Sequence, residues 1–570
     1  MPGWRQKAAS SGSGARSRSP VPERRFPEQL KSWLTSWAWG RKTASDIVRD
    51  AKALVLDHGL RNQDQRVQRL SKTSYSIQNA ERTVESILPL DNTVLTTAIP
   101  NSSVSMVLAP YDFFHWLHTT SPRRFCMHLG AAEGGVQWWW EALLSTAHGP
   151  DFWHLHPWLR DRTPASLKWH LPLALFDDSG PVSNSGSTFV RVWYSLLGVG
   201  SERETRFLIN TSMKNNDLPD DSWRVIMNNF QQLAEPVQPG KWGGIVLFLG
   251  SDLEYVCNEV GFPHYNSTTA MCPYCLADCH GRPHNTYQRT AAWRQTFLDN
   301  DEFMARLRVP LHPLAAHQIF NKYTYRLDLL HVLDHHGLAA LVIANILWQH
   351  LSSERESPVL AGNIVDARLQ YLNDDIQAYY TEMRVESRLP RLKLSNIKAE
   401  AWPELKGNDC KGSNTKALVP YVARLQARAV HLAPSDKQKH MLKVVNALNT
   451  VYTVLAAASF FLGPEELATL NTSLYKFGIH YQWLAVNAWE SDNKTRWNTK
   501  PKVHFVVGHL GWQAALINPR FVQGYGGESM VGTMAEIYGL SMSGPYKQKI
   551  QELALKKYRT GMKFMWEGAQ

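Results

Sequence analysis

The stretch LKWHLPLALFDD, residues 167–178, decides how this chain is read: a compact apolar run that stops on two adjacent aspartates. A run this short and continuous fits a buried strand. Working outward, residues 187–197 (STFVRVWYSLL) alternate and are rich in β-branched and aromatic side chains, and 206–211 (RFLINT) form a third short run. Residues 220–235 (DDSWRVIMNNFQQLAE) carry helical periodicity behind an acidic start suited to a helix N-terminus. Residues 244–250 (GIVLFLG) are a second continuous apolar run, of buried-strand type, and it lands on Asp252.

The order is strand, strand, strand, helix, strand, which is that of an RNase H-like core, with an aspartate ending the first and last strands. Adjacent strands lie roughly 5 Å apart, so Asp178 and Asp252 are expected to face one divalent-metal site. Phosphodiester cleavage and strand transfer use two Mg²⁺ ions held by such carboxylates, completed by a third acid from a later helix. Glu528 is the candidate, in YGGESMVG, where glycines lead into a helical stretch; it lies 276 residues beyond Asp252, which itself lies 74 beyond Asp178. Three acids in a chain with 50 are unspecific when taken alone, and an aspartate capping a loop is the plainer reading of each.

Six cysteines (Cys126, Cys257, Cys272, Cys275, Cys279 and Cys410) are too few and too clustered for a disulfide framework, and point to a reducing compartment. Cys272-Pro-Tyr-Cys275 has the spacing that lets two thiolates grip one Zn²⁺ at a tight turn. Cys279, His280, His284 and His264 stand nearby to complete a site, and a plain reduced pair is the alternative. In Asp328-Leu-Leu-His331 the two polar residues share a helical face. His331 reads either as a zinc ligand with a carboxylate beside it or as half of a buried structural hydrogen bond.

At 570 residues the chain is expected to form two or three packed units. A net charge of +11 favours an acidic partner such as nucleic acid, weakly at this length. Residues 1–28, rich in Ser, Gly, Pro and Arg, read as a disordered basic tail, either contacting DNA or inert. No secretory signal is visible there. An aromatic-rich stretch lies within 29–160; its Trp138, Trp139 and Trp140 must point to different faces and are expected to glue this region onto the strands that come after it. Beyond residue 326 the chain reads as mainly helical, over 328–350, 361–385, 436–462 and 464–489. The uncharged stretch 444–462 is about membrane length, but its Asn, Ser and Thr content favours a buried helix.

Together these pieces resemble the transposases of CACTA (CMC-type) DNA transposons, especially their Plavaka-like relatives and the transposase-like proteins of dinoflagellate genomes. The matching text is LPLALFDDSGPVS, LFLGSDLEYVCNEVGFPHYNSTTAMCPYCLADC, YRLDLLHVLDHHGLAALVIANILWQ, and KPKVHFVVGHL with GYGGESMVG. It covers roughly residues 100–565. The coupling of an Asp, roughly twenty residues, C-x₂-C and then D-x₂-H is its specific part. The resemblance implies an α/β fold: an RNase H-like mixed sheet core interrupted by a large, mainly α-helical insertion, with a helical N-terminal region. The implied divisions are 29–160, a core over 161–326 with the C-x₂-C loop, an insertion over 327–495, and a completion of the core over 496–570. The implied catalytic acids, and ligands of two Mg²⁺ or Mn²⁺ ions, are Asp178 (with Asp177 as substitute), Asp252 and Glu528. Cys272, Cys275, Asp328 and His331 match accessory motifs, and Cys272, Cys275 and His331 are the candidate Zn²⁺ ligands. The implied activity is DNA cleavage and strand transfer in the nucleus or cytoplasm. The implied partners are transposon ends, target DNA and further copies of the chain, with no membrane. The family usually shows Gly-Asp at both aspartates, whereas here Asp177 and Ser251 precede them. That departure motivates two alternatives: a catalytically inactive, nucleic-acid-binding descendant, and a zinc-binding interaction scaffold.

Overall fold

The computed structural model describes residues 28–58, 64–74, 76–88, 96–98, 106–183, 186–213, 219–352, 359–397, 402–492, 494–542 and 550–567. The basic tail of 1–28 thus lies outside the described residues, apart from Glu28. The chain divides into two compact units, Met1–Pro89 and Leu90–Gln570, a division that falls inside the 29–160 region.

The smaller unit is helical, over Glu28–Ala38, Ala44–His58, Gln65–Ser71 and Ile77–Ile87. Leu30, Trp33, Leu34 and Trp37 recur at helical spacing and are buried, as are Ile47, Val48 and Ala51 of the next helix. That second helix begins with a reciprocal cap: the Asp46 amide donates to Thr43 Oγ1 and the Thr43 amide to Asp46 Oδ2, both at 3.0 Å.

In the larger unit the deciding stretch becomes strand β1 (His170–Ser183), with β2 (Gly186–Ser195), β3 (Phe207–Met213), β4 (Gly243–Ser251) and β5 (Tyr325–Leu327) after it. They form one mixed sheet in the order β3-β2-β1-β4-β5. The β1–β2 and β2–β3 pairs are antiparallel, whereas β1–β4 and β4–β5 are parallel. The two apolar runs sit side by side at the centre: Leu173, Ala174 and Leu175 of β1 and Ile245 to Leu249 of β4 are all buried, as strands covered on both faces must be. Helix α1 (Pro219–Ala234) links the β3 edge to β4 and packs on β4, burying Trp223, Ile226, Met227, Phe230 and Leu233. Strand β5 is a three-residue addition at the threshold of the part that reads as helical.

Strand β1 departs from expectation in its length. It does not stop at the aspartates but runs on to Ser183, with Asp178 paired to Val190 of β2. The polar residues 177–180 continue the strand because the hairpin with β2 supplies their backbone partners. Strand β4 does end as expected, and Asp252 caps the short helix Leu253–Tyr255 immediately beyond it.

Of the three consecutive tryptophans, Trp139 and Trp140 are fully buried and Trp138 is half exposed. Trp140 Nε1 donates to the His170 carbonyl at 2.9 Å, fastening this region to the start of β1.

Asp177 and Arg191 form an ion pair on β1 and β2, with Nε to Oδ2 at 2.8 Å and both side chains at most 2% exposed. The Asp177 carboxylate also accepts from the Tyr255 hydroxyl. Removing one member of such a pair leaves an uncompensated buried charge. Arg191→Met is therefore expected to lower unfolding free energy by about 3–5 kcal/mol, read as a shift in the urea midpoint; a change within experimental scatter would contradict a buried pair.

The helical part comprises α2 (Leu338–Ser352), α3 (Gly412–Leu432), α4 (Asp436–Ala457) and α5 (Pro464–Asp492). The stretch Leu330–Ser352 is long and apolar enough to cross a membrane, and most of it is buried inside the unit. The uncharged stretch 444–462 falls mainly in α4, with Val444, Val445, Leu448 and Val451 inward and Asn446 and Thr453 outward. The chain then returns to the sheet through α6 (Tyr525–Met542), which packs on β1, and α7 (Ile550–Glu567), which packs on β3.

Candidate functional site

Successive strand residues point to opposite faces, so only one of Asp177 and Asp178 can share a face with Asp252's neighbourhood. Asp177 is turned into its pair with Arg191 and Tyr255. Asp178 takes the other face. In the β1–β4 register Phe176 stands beside Gly250. Two residues further along each strand, that alignment brings Asp178 beside Asp252.

Asp178, Asp252 and His331 each offer a donor atom within 4.8 Å of the others. His331 lies on a single π-helical turn, Leu330–Asp334. Its Nδ1 is held by Asp328 Oδ2 at 2.6 Å, and its Nε2 stands 3.5 Å from Glu528 Oε1. Glu528 in turn shares a hydrogen bond with Asp178. Asp178, Asp252 and Glu528 thus converge around one imidazole, and Asp328 orients that imidazole from behind.

Glycine at two positions makes this approach possible. A Cβ on Gly527 would lie 2.2 Å from the Phe176 ring, and one on Gly524 would lie 2.3 Å from Asp328 Oδ2. The Gly524 amide instead donates to Asp328 Oδ1 at 2.6 Å. The bare backbone at the start of α6 therefore rests directly on β1 and on Asp328, which brings Glu528, in the first helical turn, to the strand carboxylates.

The crowding has an electrostatic signature. Burial, the charge of Asp252 and the hydrogen bond and charge of Glu528 hold the Asp178 carboxyl well above its ordinary value of 3.8. Burial disfavours the charged form of His331, yet Asp328, Glu528 and Asp252 outweigh it and raise the imidazole above its usual range. Lys502 is drawn down to about 8 by burial and Lys500, against the pull of Asp252 and Asp328. A cluster in which one carboxyl must keep its proton is a fitting host for a divalent cation, which would replace that proton.

An acid with a raised folded pKa binds its proton more tightly folded than unfolded, so stability falls as pH climbs from 3.8 through the folded value. Asp178→Asn removes that loss. In Mg²⁺- and Mn²⁺-free buffer at pH 7.5 the variant is expected to melt above the parent, by about 2–4 °C for each kcal/mol relieved. The gap should close toward pH 4. Equal melting of the two proteins at both pH values would count against the crowded carboxylates.

The second group lies elsewhere in the unit. Cys272, Cys275, His504 and His509 are all buried, with donor atoms within 4.8 Å of one another. Cys272 Sγ is 3.1 Å from His509 Nε2, Cys275 Sγ is 3.4 Å from His504 Nε2, and the two Nε2 atoms are 3.4 Å apart. Ligands around a tetrahedral zinc stand about 3.3–3.8 Å from one another, so the four atoms match that cage to within a few tenths of an ångström. Arg306 Nη1 donates to the carbonyls of Cys272 and Cys275 at 2.9 and 2.6 Å, fixing the turn between them. Burial disfavours a thiolate at both cysteines, but at Cys275 the hydrogen bond from Cys272 and the two imidazoles reverse this and hold it far below the thiol range; Cys272 is pushed well above. Burial also keeps His504 neutral, the form that ligates metal.

His331, expected as a third zinc ligand, is not brought to the cysteines; it stands with Asp178 and Asp252. Cys279, His280, His284 and His264 do not join the cysteines either: Cys279 is exposed, and His284 Nε2 bonds the Thr499 carbonyl at 3.1 Å. The completing residues are His504 and His509, from KPKVHFVVGHL. Their H-x₄-H spacing falls within the usual zinc pattern of three to five intervening residues, and that signal could have found them. Val506–Leu510, which carries His509, is again a π-helical turn, as is Val256–Val260 just after Asp252. Such turns interrupt α-helices mostly at functional positions.

The chain matches no known protein-family model, and no curated protein resembles it.

Proposed function

We propose that this chain is a transposase-like protein of the CACTA kind, cutting and joining DNA on an RNase H-like core with Mg²⁺ or Mn²⁺. One observation carries the reading: Asp178, Asp252 and Glu528, drawn from three distant parts of the chain, meet around His331 while Asp177 is committed to Arg191. The sheet order supports it, with three antiparallel strands followed by two parallel ones and both aspartates on the central pair. The helices inserted between β5 and α6, ahead of Glu528, fit the same reading.

Two divalent ions, when bound, supply an activated attacking oxygen and a stabilised leaving oxygen. Asp178, Asp252 and Glu528 are the side chains that would hold them. Asp328 keeps a proton on His331 Nδ1, and the raised affinity of that imidazole lets Nε2–H donate to Glu528. Cys272, Cys275, His504 and His509 would hold one Zn²⁺ as a structural tie, since all four ligands are protein side chains in a closed, buried site.

The test is direct. Purified protein incubated with supercoiled plasmid and Mn²⁺ should convert it to the nicked form, and chelation should stop the conversion. Salt-sensitive DNA binding with no nicking in either Mn²⁺ or Mg²⁺ would favour a non-cutting descendant instead.

A further inference from the structure

A cavity of about 470 Å³ opens between the turn after the His331 segment and residues 407–411, lined by His335, His336, Gly407, Asn408, Cys410 and Lys411. None of these lining residues is used by either metal group. Its size falls in the range of ligand sites, roughly 300–1,000 Å³. Its lining is cationic or hydrogen-bonding: one ammonium, two imidazoles and a side-chain amide.

The cavity adjoins the carboxylate centre. His335 lies ring to ring with His331, at 5.9 Å between centroids. Lys502, which interacts with Asp252 and Asp328, donates to the His336 carbonyl at 3.2 Å. His336 is held in a left-handed conformation, at φ 52°, and its Nδ1 contacts Glu404 at 3.4 Å. Lys406 and Lys500 are spent on that same Glu404, at 3.2 and 2.9 Å. Lys411 makes no ion pair among the described residues and is exposed at the start of α3, where the first helical amides add a positive potential.

We propose that this cavity binds a phosphate and its nucleotide in the DNA strand that leads into the carboxylate centre. The phosphate would be held by Lys411 and the base would lie against His335 and His336. This rests on the DNA-cutting reading. A strand lying across the carboxylates must continue past His331, and the histidine turn is the cationic concavity that His331 touches. Phosphate neutralised by a lysine gives a salt-dependent, sequence-independent grip, while an imidazole face offers a stacking surface to any base.

Anisotropy of a labelled 20-nucleotide single strand in Ca²⁺ reads binding apart from cutting, and plasmid nicking in Mn²⁺ reads the carboxylate centre independently. Lys411→Glu, at an exposed position, is expected to weaken binding about tenfold or more and to lower the salt slope by about one phosphate. Asn408→Asp should act in the same direction. Lys241→Glu, the same charge reversal beyond the opposite end of β4 and so about 25–30 Å from Asp252, should stay within twofold. Millimolar dTMP should fail to displace the strand; displacement at micromolar dTMP would overturn the strand assignment in favour of a free mononucleotide. Lys411→Glu and Asn408→Asp binding like the parent, with nicking intact, overturns the cavity proposal and leaves the cutting reading standing. A parent protein that neither binds the strand nor nicks plasmid overturns both.

Discussion

Asp252→Asn should leave the fold intact and reduce Mn²⁺-dependent nicking by about 10³-fold or more, equivalent to about 4 kcal/mol of transition-state stabilisation. The substitution is informative because Asp252 has two roles that the change separates. As the cap of Leu253–Tyr255 its side chain accepts from the Tyr255 amide, and asparagine caps helices as well as aspartate does. As a member of the group with Asp178 and His331 it supplies the charge a divalent ion needs, which asparagine does not. Melting should therefore stay within a degree or two of the parent while nicking collapses. Undiminished nicking would remove Asp252 from the chemistry, and with it the proposed function.

Cys275→Ala is expected to abolish binding of one equivalent of zinc, measured by elemental analysis, and to lower the melting temperature by 10 °C or more. The two cysteines lie 237 and 229 residues from the histidines they face, so an ion there closes a very long loop. Structural zinc sites in small peptides contribute about 10–16 kcal/mol. Here the surrounding core already holds the ligands together, so a smaller part, about 5 kcal/mol, is expected on stability. Chelation of the parent should reproduce the loss. His284→Ala is the control, because His284 lies near the cysteines in sequence yet bonds the Thr499 carbonyl instead. Full zinc content in Cys275→Ala, or its loss in His284→Ala, would overturn the assigned ligand set.

The sheet was legible because its central strands are continuous apolar runs, a pattern that buried parallel strands require. The choice between Asp177 and Asp178 was not, since alternation says that they face opposite ways without saying which face holds the site. Only the buried partner, Arg191 on β2, decides that. Glu528 could be picked out because glycines precede it, and their purpose became clear only once Phe176 and Asp328 were found pressed against them. His504 and His509 were passed over as ligands because the cysteines lie more than 200 residues away, and proximity in sequence favoured the wrong histidines. His331 was drawn to the zinc by residue type alone; its helical partner Asp328 ties it to the carboxylates instead.

The π turn at Val506–Leu510 bears on how this chain can vary by insertion and deletion. On a regular α-helix each residue advances about 100°, so two side chains five apart diverge by about 140° and cannot grip one ion. The widened turn is what aims His504 and His509 at a common point. Losing one residue between them would restore an ordinary helix with histidines four apart, again on one face. The metal pair would survive that deletion, while the chain leading on to Glu528 would enter rotated by about 100°. The widened turn thus acts as a phase-setter, holding the angular register between a structural ion and the acid at the start of α6.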